Sequence, residues 1–510
     1  MDLSLLDNRT IYTNRTPGLL KLVVHGQRTE RSQVERFELG VKSTFHDVRI
    51  RMENFYLSDA EPETYPTPNR KLVDEFGQWK NHSWPGKITS LDELRKTMDQ
   101  NLGSAAYPFP SWNRWGGDSN RKLKNGTGFF STFKTPDGRW HLTDPDGCDY
   151  FSLGPCGTRA GEEGRIDAFE KNCDWLPEKE DSIYGEYFRE DTMRRSAYME
   201  PEHFRMFNFC GANLKKVYGS DWKEKWEEMS HHILMSSGIN SQGNFPGLCV
   251  NDGRTKIPYV RELRGFPSTE TLIFRDFPDV LSEEYAENSW GSSFDSFDAL
   301  QNPIEKCSEE YPGSFDDIRE YSRFLVREYI RIPSEACRKT DRNHLNLGLR
   351  WSKADNPDMM VGWEYFDVFS INCYDFDPST DMDFAKNAGV DLPILLGEYH
   401  CGALDRGLPA TGLKGVENQT ERAKMWRYYV EHAAAHPYGV GAHWFQYNDQ
   451  FCLGRFDGEN YQIGMVDVCM QPYPELMEAV KKSSEALYAV KNGEQEPFDE
   501  EPVSIPMIGY

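Results

Sequence analysis

The chain has no paired cysteine motif. Its eleven cysteines stand singly, without a CxxC pair or a CxxC…HxxxH spacing. That pattern excludes a disulfide framework and a finger-type zinc site, and it implies reduced thiols, most of them buried as small apolar residues. Long hydrophobic runs are also missing: no stretch approaches the ~20 apolar residues of a membrane span. The first residues, MDLSLLDNRTIYTNRT, show no basic segment followed by an apolar one. No secretory signal is therefore expected, and the expected location is cytoplasmic, or secreted or periplasmic if the sequence is a trimmed one. Positive charge is scarce too, with 58 Lys and Arg against 82 Asp and Glu and a net charge of −24. This argues against nucleic acid or an anionic membrane as partner, since both need basic patches.

What the chain does have is aromatic content, 13% of its residues, including 13 Trp and 25 Tyr. That supplies cores, and it also supplies stacking surfaces for sugars or bases. With 510 residues there is room for two or three ordinary domains, or for one large barrel with an accessory domain.

Organisation changes along the chain. Residues 1–62 alternate at period two in LLKLVVHG, VERFELGV and DVRIRMENFYL, which predicts a small β domain. Residues 63–149 read as a linker rich in Pro, Gly and Asn, then a helix near LDELRKTMDQNL, then short strands divided by two PDG turns. From 150 to 490, strand-like ends at DYFSLG, GINSQGN, IPYVREL, LNLGLRW, FDVFSINCY, PILLGEYH and GVGAHWFQY alternate with helical stretches such as QTERAKMWRYYVEHAAA. Strand–helix alternation implies parallel pairing, so the expected class is α/β, a (β/α)8 TIM barrel with a small N-terminal β domain. Seven strands are legible rather than eight; the gap lies between IPYVREL and LNLGLRW. Residues 491–510 form an acidic tail expected on the surface.

In such a barrel the chemistry sits where strands run out into loops. Arg350 and Trp351 finish LNLGLRW, and Asn372 and Tyr374 finish FDVFSINCY. Glu398 and His400 finish PILLGEYH, while His443, Trp444, Gln446 and Tyr447 finish GVGAHWFQY; Asn244 closes GINSQGN. Amides, tyrosines and histidines hydrogen-bond hydroxyls, and an exposed indole stacks on the apolar face of a pyranose. By position alone, Glu398 reads equally as a catalytic carboxylate or as a buried glutamate paired with an arginine. Trp444 taken alone reads more readily as a core aromatic. No third ligand recurs near His400 and His443 at a spacing that would fix zinc, so no metal site is expected and both histidines are read as hydrogen-bonding groups.

GEYHCGALDRG, then TGLKGVENQTERAKMWRYYVEHA, then GAHWFQYNDQ and GRFDGENYQIGMVD, closely resemble the agarases of glycoside hydrolase family 50. VDEFGQWKNHSWPGK, WHLTDPDGCDYFSLG, NLKKVYGSDW, GINSQGN, FRDFPDV and FDVFSINCY follow the family in the same order, so the resemblance runs from about Val73 to about Tyr488. It implies a retaining β-glycosidase cutting β-1,4-galactosidic bonds in agarose or its oligosaccharides, without a cofactor. It further implies Glu398 as nucleophile, Tyr374 as its support and Trp444 as the floor of the sugar site. The family's acid/base motif, Asn-Glu followed shortly by Trp, is not intact. Its nearest echo is Glu287 in YAENSWG, which taken alone reads as a solvated helical residue. Two alternatives stand beside this expectation: a carbohydrate-binding pseudo-glycosidase lacking its proton donor, or a hydrolase of another algal galactan such as carrageenan.

Overall fold

A computed structural model describes residues 11–15, 21–24, 70–167, 169–193, 202–263, 269, 272–274, 277–288, 315–352 and 354–508. In the expected N-terminal domain, Ile11–Arg15 and Lys21–Val24 pair antiparallel. The expected strands in VERFELGV and DVRIRMENFYL lie outside the described residues.

The two PDG turns form as read. Gly138 (φ +91°) and Gly147 (φ +88°) take a left-handed backbone, which costs glycine nothing because it has no Cβ. Their N–H groups close the turns onto Thr135 O and Asp144 O, both at 2.9 Å. The turns join Ser131–Lys134, Trp140–Thr143 and Cys148–Tyr150, which with Asp118–Lys122 make a four-stranded antiparallel sheet.

A second sheet is parallel and positions the candidate site. Its order is Phe369–Asn372, Ile394–Tyr399, Gly439–Trp444, then Ser152–Pro155. Three further segments extend it without forming full strands. Next to Ser152–Pro155, Ser241 N donates to Leu153 O and Gly243 N to Pro155 O, and Gln242 in turn bridges parallel to Tyr259. At the opposite edge Trp351 bridges parallel to Ile371. The contact between the Ser152–Pro155 and 240–243 segments needs glycine, because a Cβ on Gly154 would overlap the Ser241 carbonyl.

Helices cover the outer face of this sheet. The helix Gln419–Ala435 starts where the Asn418 side chain accepts from Glu421 N, an N-cap that satisfies an otherwise orphaned donor. It lies against the helix Pro474–Lys491, which opens on proline, where a missing N–H costs nothing. Between sheet and helices sits an aromatic stack. Tyr399 and Tyr429 are parallel with centroids 3.8 Å apart, and Trp444 meets Tyr399 edge-on at 5.2 Å and Trp426 at 5.4 Å. Among the described residues every cysteine is an unpaired thiol, buried except for Cys337.

Candidate active site

A strand directs alternate side chains to opposite faces. Leu396 and Tyr399 both join the main core on the helix side, so strict alternation would send Glu398 out with Leu396. The register prevents this. Ile371 pairs with Leu396, but Asn372 pairs with Glu398, so one extra residue is accommodated at Gly397. Such a bulge re-aims the side chain that follows it. Glu398 turns to the end of the sheet, where Arg350 Nη1 contacts its Oε1. Asn372 Nδ2 donates to Oε2 at 2.8 Å, and the Tyr374 hydroxyl donates to the same oxygen at 3.0 Å. Gly397 is part of the device: a Cβ there would stand 2.8 Å from Ser370 Oγ and 3.3 Å from Arg350 Cδ.

Glu398 is only 9% exposed, so an unpaired charge there would be costly and three donors offset that cost. Burial, and then the neighbouring carboxylate, push the Tyr374 phenol well above its ordinary value. Tyr374 therefore stays a proton donor to Glu398. Asn244, with its amide turned so that Oδ1 faces the arginine, accepts from Arg350 Nη1 (3.2 Å) and Nε (3.1 Å). Glu398, Arg350, Asn372, Tyr374 and Asn244 are thus brought into one constellation by four separate segments.

The remaining expected residues lie elsewhere. Trp444 is fully buried, its indole N–H bound to Ile463 O at 2.7 Å. It belongs to the aromatic stack outside the sheet, because its neighbour His443 takes the inner face; the expected sugar floor is corrected accordingly. His443 is also fully buried, with Nε2 2.9 Å from Ser152 Oγ. His400 is buried and accepts the Leu413 N–H on Nε2 at 3.0 Å, its ring 4.8 Å from that of Tyr374. Burial holds both imidazoles down at about 3, helped by Arg350 at His443 and by Arg422 at His400. Both are neutral packing groups with Nε2 committed inside the protein and Nδ1 buried, so neither is presented to a substrate hydroxyl as expected. Gln446, 3% exposed, spends its amide on Glu162 Oε2 and Asn448 O, both at 3.0 Å. Glu287 falls in the short helix Glu283–Asn288, but its side chain lies outside the described residues. No group of three or more His, Cys, Asp or Glu among the described residues is placed to hold a metal ion.

Two residues near this constellation were not anticipated. Phe245 follows Asn244 and its ring lies under the Arg350 guanidinium, 5.3 Å from centroid to Cζ. Its backbone N–H donates to Glu262 Oε1. The only sequence signal was an aromatic directly after GINSQGN.

No protein-family profile matches the chain. Beta-agarase B of Vibrio sp. (strain JT0107) is 27% identical over 571 residues, covering 90% of this chain and 59% of that protein. Beta-agarase A of the same strain is 24% identical over 530 residues, covering 82% of this chain and 52% of that protein. The chain therefore spans between half and three-fifths of the length of these curated relatives. Among solved structures, the agarase AgWH50C aligns with a TM-score of 0.69 at 22% identity, over 84% of this chain and 75% of the other. PfGH50B aligns at 0.69 with 25% identity, over 84% and 76%, and an exo-beta-agarase at 0.68 with 24% identity, over 85% and 75%.

The expected cytoplasmic location is not supported by these relatives, which are beta-agarases of Vibrio. Single, unpaired thiols were a poor guide because a thiol buried in a core stays unpaired wherever the protein resides. Among the described residues no helix is long and apolar enough to cross a membrane. The chain has a mixed α/β fold similar to that of the family-50 agarases, and by sequence and fold it is related to the beta-agarases of glycoside hydrolase family 50.

Proposed function

We propose that the chain is a retaining glycoside hydrolase of agarase type, acting on β-1,4-galactosidic bonds of agarose or its oligosaccharides, with Glu398 as nucleophile. The observation that carries this reading is a buried glutamate, turned by a bulge to the end of a parallel strand and held there by Arg350, Asn372 and Tyr374. The architecture proposed for it is a (β/α)8 barrel over residues 150–490, preceded by a small β domain (1–62) and a linker (63–149) and followed by a tail (491–510). In support, seven parallel segments neighbour one another in the order 349–351, 369–372, 394–399, 439–444, 152–155, 240–243 and 258–260. The stretch between IPYVREL and LNLGLRW, where no eighth strand is legible in the sequence, lies largely outside the described residues.

In this mechanism a Glu398 oxygen attacks the anomeric carbon while a second carboxyl, ~5–5.5 Å away, protonates the departing glycosidic oxygen. The C–O bond to the leaving sugar breaks as the glycosyl ester forms. The second carboxylate then takes a proton from water, whose oxygen displaces Glu398 and restores the β-anomer. Arg350, Asn372 and Tyr374 hold the attacking oxygens in place throughout, so little reorganisation is needed. Glu287 is the proposed acid/base residue.

Two substitutions test the assignments. Glu398→Ala is expected to lower agaro-oligosaccharide turnover by about 10³-fold or more, with circular dichroism unchanged. Unaltered turnover would leave Glu398 as the structural partner of Arg350. Glu287→Ala is expected to lose about 10²–10⁴-fold on oligosaccharides while sparing aryl galactosides, whose good leaving groups need little protonation. Equal losses on both substrates would remove Glu287 from the role.

A further inference from the structure

The burial of Trp444 leaves the proposed site without its expected aromatic surface, and a partly exposed ring packed against Arg350, the partner of Glu398, is placed to supply one. Phe245 is 39% exposed, an unfavourable position for a phenyl ring in the absence of a partner. Its backbone is also unusual for a residue with a side chain, at φ +59°, a left-handed conformation that is strained for a residue with a Cβ and clusters at ligand sites.

This exposure is imposed by the surrounding structure. Before Phe245, Gly243 packs so closely that a Cβ would stand 2.9 Å from Cys156 Sγ and 3.0 Å from His443 Cβ. After it, Gly247 N donates to Thr158 Oγ1 at 3.0 Å, and Leu248 N to Gln242 Oε1 at 3.2 Å. Gln242 answers by donating to Leu248 O at 3.2 Å. Both ends of the turn are therefore tied to buried groups, and the Glu262 carboxylate receives the Phe245 N–H between them. Arg350 covers one face of the ring, and the same guanidinium contacts Glu398.

We infer that Phe245 is the surface on which a galactose ring of the substrate stacks beside the bond to be cut, and that Glu262 is the positioning residue that holds it there. A neutral galactan suits this arrangement: the C–H face of galactose packs on a phenyl ring, while its hydroxyls turn to Asn372 and Tyr374 at the same end of the sheet. The inference rests on the agarase reading of the site.

The test is steady-state kinetics on agaro-oligosaccharides. Phe245→Ala is expected to raise KM about tenfold and Phe245→Trp to keep it within about threefold of wild type. Phe245→Gly relieves the backbone strain, so it is expected to melt no lower than Phe245→Ala while showing the same KM loss, separating the ring's contribution from folding. Glu262→Gln keeps a carbonyl acceptor for the Phe245 N–H and is expected to match wild type, whereas Glu262→Ala raises KM with kcat less affected. An unchanged KM in Phe245→Ala overturns the platform, and a Glu262→Gln variant as impaired as Glu262→Ala overturns the positioning role. Should the wild-type chain turn over no oligosaccharide, the agarase reading fails by itself. Calorimetric titration of the same oligosaccharides then judges the platform separately: equal affinity in wild type and Phe245→Ala overturns it, and binding about tenfold weaker in the variant upholds it.

Discussion

Glu398 is paired with an arginine and also faces the end of the sheet, where a catalytic carboxylate would have to stand. The pair alone is weak evidence of stabilisation, because two desolvated charges recover little more than their burial costs. What distinguishes this pair is that each partner has other bonds fixing its orientation, Asn372 and Tyr374 on the glutamate and Asn244 on the arginine. Two buried imidazoles shape the acid response. His443 and His400 titrate at about 3 in the folded chain against ~6.5 unfolded. Their stabilising contribution is complete above ~6.5 and is lost as pH falls towards 3, because the unfolded chain binds the protons first. Asp449 and Asp467 act in the opposite sense: burial raises them to about 6 and about 7, so their contribution grows on acidification through that range. His443→Gln isolates the histidine part. Its melting temperature is expected to fall less steeply than wild type between pH 6.5 and 4, and parallel curves would remove His443 from the acid response.

Among the elements, the strand Gly439–Trp444 and the helix Gln419–Ala435 are joined by the stack of Tyr399, Tyr429, Trp426 and Trp444. Their strand and helix character was legible from an apolar run ending in a loop and from helical spacing of large residues. Which side of the sheet Trp444 would take was not, because a continuously apolar strand carries no polar face to orient it. Trp444→Ala is expected to cost about 3–5 kcal/mol, measured by chemical denaturation, with KM for agaro-oligosaccharides unchanged in the folded fraction. A selective rise in KM at full stability would return Trp444 to the sugar site.

At the scale of the whole molecule, the C-terminal residues fasten the loop that follows Glu398. The tail was expected on the surface, and its composition gave no hint of a partner. Phe498 N donates to Glu431 Oε2 at 2.8 Å and Val503 N to Glu421 Oε2 at 2.7 Å, both on the helix Gln419–Ala435. Ser504–Ile505 then pairs antiparallel with Gly415–Val416, and Thr411 N donates to Ile508 O at 2.8 Å. The loop tied down in this way contains Gly412, where a Cβ would overlap His400, and His400 packs on the Tyr374 that holds Glu398. Truncation after Gln495 is therefore expected to lower both the melting temperature and kcat, checked by calorimetry and oligosaccharide turnover. A truncated chain with wild-type kcat would limit the tail to a role in stability.

The features that the sequence determined by itself were local ones. The PDG turns needed left-handed glycines, the alternating segments became strands and helices, and an apolar run delivered Glu398 to a strand end. Tertiary structure decided the rest. A register slip at Gly397, set by pairing with Phe369–Asn372, turned Glu398 away from the face that period-two alternation assigns it. Close packing of Gly243 against Cys156 and His443, with bonds from Thr158 and Gln242, held Phe245 out while Trp444 was buried. Propensity and periodicity act over a few neighbouring residues, whereas register and forced backbone conformations depend on segments tens to hundreds of positions away.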